Sequence, residues 1–243
     1  MKTENSISPN VNQEFLTAIT ASFNSFLDKG TSRSTAKLIP LHGFIAKKIN
    51  ALLGCGYVIS SKGYGNGEED SIKGRYFDKK ADITIKKDDK TVAGIAVKFV
   101  MQNYSPNSIN YFENMLGETA NIRCAKCPYF QVFIIFDKLP HYNNNRDIKH
   151  WETFSDHSIV KYQNLSKDNA DIYYHTPNKT LLYVIHIPDN EGLKTKDEYL
   201  NYYKNLHPNI VLSTKKYEGF GDAIIINDFN AFINKVYHTI MAL

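Results

Sequence analysis

Asp82 and Lys98 are the residues of this chain whose types and spacing point most directly to chemistry. They stand in Lys80-Ala-Asp-Ile-Thr-Ile-Lys-Lys-Asp-Asp-Lys90 and Thr91-Val-Ala-Gly-Ile-Ala-Val-Lys-Phe-Val100, two runs that read as strands joined by a short polar turn. Strand side chains alternate faces. Ile83 and Ile85 therefore point one way, and Asp82, Thr84 and Lys86 the other. In the second run Ala93, Ile95, Val97 and Phe99 form an apolar face, opposite Gly94, Ala96, Lys98 and Val100. A hairpin closed at Lys87–Lys90 brings Asp82 beside positions 96 and 98. A carboxylate and an ammonium gathered there suit metal-assisted cleavage of a phosphodiester. A hard cation such as Mg²⁺ takes oxygen from one or two carboxylates and from the substrate phosphate. The lysine then orients the attacking water and neutralises the developing charge. Position 96, on the same face two residues before the lysine, is Ala96 and offers no ligand.

The elements that must hold this pair follow at once in the chain. Ser105-Pro106 reads as a helix start, with Ser as cap and Pro in the first turn. Ile109, Phe112, Leu116 and Ala120 recur at helical spacing, and Asn110, Glu113, Asn114, Gly117 and Asn121 take the other face. Phe130-Gln-Val-Phe-Ile-Ile-Phe136 is an almost unbroken apolar run, the signature of a strand buried on both faces. Hairpin, crossover helix and buried strand predict a last strand parallel to the lysine strand.

Asp82, a gap and Ala96-Val-Lys98 resemble the PD-(D/E)xK nuclease pattern, in which an Asp precedes a Glu/Asp-x-Lys tripeptide on the next strand. Type II restriction endonucleases are members of that family. The resemblance spans residues 78–137, with Ala81 in the proline slot and Ala96 in the glutamate slot. It implies an α/β fold, a central mixed β-sheet flanked by helices in a restriction-endonuclease-like core. It also implies a Mg²⁺-dependent endonuclease of a restriction–modification system, acting as a homodimer on a palindrome in double-stranded DNA. Asp82 would ligate the metal, Lys98 would assist the water, and position 96 would complete the catalytic trio. Gly117-Glu-Thr-Ala-Asn-Ile-Arg123 resembles, with a one-residue gap, the recognition segment of EcoRI-like enzymes, which implies base-reading roles for Asn121 and Arg123. Arg pairs with guanine and Asn with adenine in the major groove; the other reading of Arg123 is a cation at a helix C-terminus. Ala96 leaves two explanations open: a site disabled at that position, or a role taken over by another carboxylate such as Glu113. A chain that kept the fold and binds DNA without cutting it is the alternative function. An α/β protein acting on small molecules is a third.

Charge is unevenly spread. Residues 29–98 carry 14 Lys/Arg against 7 Asp/Glu, while the whole chain has a net charge of only +4. A basic half containing the candidate site suits a polyanionic partner. The loop Lys62-Gly-Tyr-Gly-Asn-Gly-Glu-Glu-Asp70 lacks both the P-loop ending and the dinucleotide fingerprint. The first reading is a plain surface loop; the second is a mobile segment that closes over DNA through Lys62 and brings Glu68, Glu69 or Asp70 to the site. Cys124-Ala-Lys-Cys127 has zinc-ligand spacing, but no second pair completes four ligands. No apolar run approaches a membrane span, and Met1–Ser6 lacks a signal-peptide core, so the expectation is an intracellular protein; the restriction-enzyme resemblance implies the cytoplasm of a bacterium or archaeon.

The 243 residues read as a single domain. Residues 1–56 form N-terminal helices, 57–137 the catalytic core, and 138–243 further strands and C-terminal helices. Helices are expected around Phe15–Phe26, closed by Gly30, and around Leu41–Leu52, where Lys47 and Lys48 stand exposed. Others are expected at His157–Asp168, at Thr195–Leu206 with a Thr-x-x-Glu capping signature, and at Phe229–Met241. Strands are expected at Tyr57–Ser60 and Leu181–Ile187, with Pro140–Arg146 a polar turn and the first eleven residues and Thr31–Thr35 irregular.

Overall fold

The computed structural model describes residues 11–30 and 35–243. The expected irregular start and most of the 31–35 linker lie outside the described residues. Helix α1 (Val11–Lys29) ends at Gly30, whose positive φ of 62° allows the chain to turn away. Helix α2 (Ile39–Leu53) follows and leads into strand β1 (Val58–Ser61). Two very short strands, β2 (Ser71–Ile72) and β3 (Lys79–Lys80), pair as a ribbon. Strands β4 (Ile83–Lys87) and β5 (Lys90–Val100) form the expected hairpin. Asp88 and Asp89 both take positive φ there, as a two-residue type I′ turn requires. A 3-10 turn at Ser105–Asn107 precedes helix α3 (Ser108–Arg123). Strand β6 (Tyr129–Phe136) is buried at every position. A separate antiparallel ribbon comes next, β7 (Lys138–Tyr142) and β8 (Ile148–Thr153). Then come helix α4 (Asp156–Ser166), strand β9 (Lys179–His186), helix α5 (Lys196–Leu206), strands β10 (Val211–Leu212) and β11 (Ile224–Ile226), and helix α6 (Phe229–Met241).

The main sheet runs β1-β4-β5-β6-β9. β4 is antiparallel to both of its neighbours, β1 and β5, whereas β6 is parallel to β5 and β9 parallel to β6. The outer side of β9 is shared: antiparallel β10 covers its C-terminal end and parallel β11 its N-terminal end. The result is a mixed sheet in an α/β fold. Alternation along β6 separates two helical layers. Phe130 and Phe136 meet Phe232 of α6 and Phe23 of α1, whereas Phe133 meets Tyr162 of α4 and Gln131 reaches Thr119 of α3. One continuous apolar core therefore runs from Val11 to Ile240. A small satellite of Ile72, Ala81, Ile122 and Tyr129 lies under the β2–β3 ribbon, with Ala96 and Cys127 against it. Among the described residues, no helix is long and apolar enough to cross a membrane.

Two local expectations need correction. Pro140–Arg146 is not simply a turn, because residues up to Tyr142 pair with β8. The core-facing stripe of α3 is also out of phase: Ile109 is 65% exposed, while Met115, Thr119 and Ile122 are buried. The first half of α3 overhangs a cleft rather than a packed sheet, so hydrophobicity alone does not fix its rotation.

Candidate active site

The cleft beneath α3 has a volume of about 700 Å³. Asp82, Ala96 and Lys98 all line it, with Glu113 and Glu118 from α3 and Lys79, Lys80 and Phe77 from the rim. A β-bulge decides this convergence. The turn pairs Lys87 with Lys90 and Lys86 with Thr91, but beyond it Ile85 pairs with Ala93 and Ile83 with Ile95. Val92 is the extra residue, and the register continued one step sets Asp82 opposite Ala96. Without that bulge the same turn would set Asp82 against Ile95, on the face away from Lys98.

Asp82 is held by its surroundings. Its Oδ2 accepts a hydrogen bond from the Val97 backbone N–H at 2.6 Å, and its carbonyl accepts from Ser61 Oγ at 2.8 Å. Burial, helped by the charges of Glu69 and Glu118, pushes its carboxyl up to about 6, against the opposing Val97 bond. Lys98 projects into the cleft with its Nζ 4.2 Å from the centre of the Tyr111 ring, a cation–π contact. Desolvation lowers its ammonium from the ordinary lysine value, and Asp82 opposes that shift. Glu118 bridges Lys79 at 2.9 Å and bonds the buried Tyr129 hydroxyl.

On the other side of Asp82 stands a residue that the sequence did not single out. His42 lies in the first turn of α2, 2% exposed, and neither ring nitrogen has a hydrogen-bond partner. Burial, and after it the charge of Lys62, pull its imidazole down to about 4. Ligand atoms of His42, Glu69 and Asp82 all lie within 4.8 Å of one another. The glycines beside them explain how α2 comes so close: a Cβ on Gly43 would overlap the carbonyl of Gly63, and one on Gly63 that of Ile39. Glu69 and Asp82 supply the oxygens that Mg²⁺ prefers, so the residues present fit a divalent ion even though Ala96 offers none. Signals for His42 were absent from the sequence, since a single histidine on an apolar helix face reads as core.

No family model, curated protein or solved structure matches this chain.

The structure relocates three expected DNA contacts. Asn121 is buried, with Oδ1 accepting from the Tyr76 N–H and Nδ2 donating to the Phe77 carbonyl, each at 2.9 Å. It latches the Gly74–Phe77 loop and does not face a groove. Arg123 is also buried, its Nη1 donating to the carbonyls of Ala170, Tyr173 and Thr176. Both side chains are committed to the fold, which corrects their reading as base contacts. Lys62 pairs with Glu69 at 3.2 Å inside the site instead of reaching outward. Glu113 lines the cleft but stands outside the His42–Glu69–Asp82 group. Cys124 and Cys127 are free thiols, and burial raises Cys127 to about 12, which disfavours the thiolate a metal needs.

Proposed function

We propose that this protein is a divalent-metal-dependent phosphodiesterase acting on double-stranded DNA, an endonuclease of the PD-(D/E)xK type. The observation that carries the reading is the meeting of Asp82 and Lys98 in one cleft, on adjacent antiparallel strands, at the head of a β4-β5-α3-β6 unit. That order of hairpin, crossover helix and parallel strand agrees with a restriction-endonuclease-like core.

Asp82 and Glu69 would hold a divalent ion such as Mg²⁺, which would supply polarisation of a phosphoryl oxygen and a more acidic water. The chain's own groups do the rest. Asp82 positions negative charge at a fixed point, because the Val97 N–H holds one of its oxygens. Lys98 Nζ, kept in the cleft by Tyr111, hydrogen-bonds the attacking water and offsets charge that grows on the phosphate. Lys79 and Lys80 on the rim attract the flanking phosphates, and exposed Phe77 offers a face for base stacking. In the type II restriction reading, two copies act on the two strands of a palindrome.

The test is cleavage of supercoiled plasmid, linear duplex and single-stranded DNA with Mg²⁺ or Mn²⁺. We expect metal-dependent nicking that Asp82→Asn and Lys98→Ala each reduce by at least a hundredfold, and that Ala96→Glu increases. Ala96 itself favours a second reading, a DNA-binding protein without turnover. Salt-sensitive binding with no cleavage by either the chain or its Ala96→Glu variant would establish that alternative.

A further inference from the structure

The methyl group of Ala96 leaves Asp82 without a carboxylate partner on β5, yet the opposite side of Asp82 is crowded with ligand atoms. We propose that His42, Glu69 and Asp82 form a divalent transition-metal site of the Mn²⁺ class, entered by displacing the Lys62 ammonium. The proposal rests on the phosphodiesterase reading for what the ion does, because Asp82 is shared, but not for whether the ion binds.

Four observations carry it. The three ligand atoms come from three separate segments, α2, the loop before β2 and the residue before β4, and lie within 4.8 Å of one another. Groups sharing one ion at bonds of about 2.0–2.2 Å are separated by roughly 3–4.4 Å, so only a slight contraction is needed. His42 is 2% exposed and both its ring nitrogens lack a partner. A buried polar group without a partner is costly, and a metal bond at one nitrogen removes part of that cost. The approach of Gly43 to Gly63 fixes the imidazole where it stands, so the site is built into the packing of α2 against the turn after β1. Finally, Lys62 Nζ lies 3.2 Å from Glu69 and its charge acts on both His42 and Asp82. The ammonium supplies the positive charge that the two carboxylates need before an ion arrives.

The donor set also selects the ion. Two carboxylate oxygens alone would suit Mg²⁺, but a buried imidazole nitrogen favours Mn²⁺ and later first-row ions. The expected cofactor thereby changes from Mg²⁺ to Mn²⁺, and a glutamate at position 96 becomes unnecessary for holding the metal.

The experiment uses the full chain stripped with EDTA. Mn²⁺ and Mg²⁺ are titrated separately by calorimetry, and pulsed electron paramagnetic resonance of the Mn²⁺ form reads any coupled ¹⁴N. We expect one Mn²⁺ per chain, Mg²⁺ at least tenfold weaker, and a ¹⁴N coupling that is lost in His42→Gln. Glu69→Gln should weaken Mn²⁺ by at least tenfold, and Lys62→Met should tighten it several-fold. Circular dichroism checks that each variant folds. If His42→Gln does not fold, the ¹⁴N signal of the unaltered chain and the Glu69→Gln titration decide. No Mn²⁺ binding, Mn²⁺ binding without ¹⁴N coupling, or unchanged affinity in Glu69→Gln overturns the site. DNA cleavage surviving any of those results leaves the phosphodiesterase reading standing. His42-dependent Mn²⁺ binding with no cleavage by either the chain or its Ala96→Glu variant overturns that reading alone.

Discussion

Asp82 and His42 are neighbours displaced in opposite senses by the same burial. Asp82 rises to about 6 from an ordinary carboxyl value of 3.8, and His42 falls to about 4 from 6.5. A carboxyl whose folded pKa is raised holds its proton longer than in the unfolded chain, so stability is lost as pH rises from about 4 to 6. A depressed histidine loses stability as pH falls from 6.5 towards 4. The two effects oppose one another in the metal-free protein. Asp82→Asn should therefore gain on the unaltered chain as pH rises through that window, and His42→Gln should gain as pH falls. Each trend is on the order of 2 kcal/mol, read from denaturant melts at half-unit intervals. Metal binding needs the Asp82 carboxylate, so affinity should climb about tenfold per pH unit below about 6 and level off above it. A pH-independent affinity between 5 and 7 would contradict this. Asp82 and Lys98 were singled out by residue type and spacing, but strand alternation from the turn brings them to one face only with the bulge at Val92. The role of His42 was not, because what marks it is the lack of a partner, a property of the folded environment.

Elements place these residues, and here the sequence is a weaker guide. The β4–β5 turn and the buried β6 are readable from Asp88-Asp89 and from an unbroken apolar run. The bulge at Val92 is not, since nothing in Thr91-Val-Ala announces an extra residue, yet it sets which face Asp82 occupies. The phase of α3 was missed because its outer turns border a cleft. Asn121 illustrates the same limit: a polar residue near a helix end looks available, but in the fold it ties down the loop carrying Phe77. Asn121→Ala should cost about 1–3 kcal/mol in chemical denaturation and speed hydrogen exchange at Tyr76. Gly74→Ala should act alike, because a Cβ at position 74 would overlap the Asn121 amide and the Phe77 carbonyl. Wild-type exchange at Tyr76 in either variant would remove the latch from consideration. At α5 the expected capping box is present, with Glu198 N–H donating to Thr195 Oγ1 at 3.2 Å. Thr195→Ala should lower stability by about 1 kcal/mol, without altering metal affinity.

At the level of the whole molecule, three of the 14 basic residues in 29–98, Lys79, Lys80 and Lys98, line the cleft. For a duplex partner, the joint change Lys79→Ala and Lys80→Ala should flatten the log–log salt dependence of binding by about 2, with a loss of affinity similar for all sequences. A fluorescence-anisotropy titration at several salt concentrations reads both; an unchanged slope would place the duplex elsewhere. The far side of the sheet bears on how copies meet. Among the described residues, only β10 and β11 lie beyond β9, two and three residues long and of opposite direction. An incoming strand would find there no run of free amides with a single polarity on which to zip. Sheets of two molecules cannot readily fuse along that border, so growth into a continuous ribbon is blocked at that end, and a pair of subunits would have to be joined through some other face.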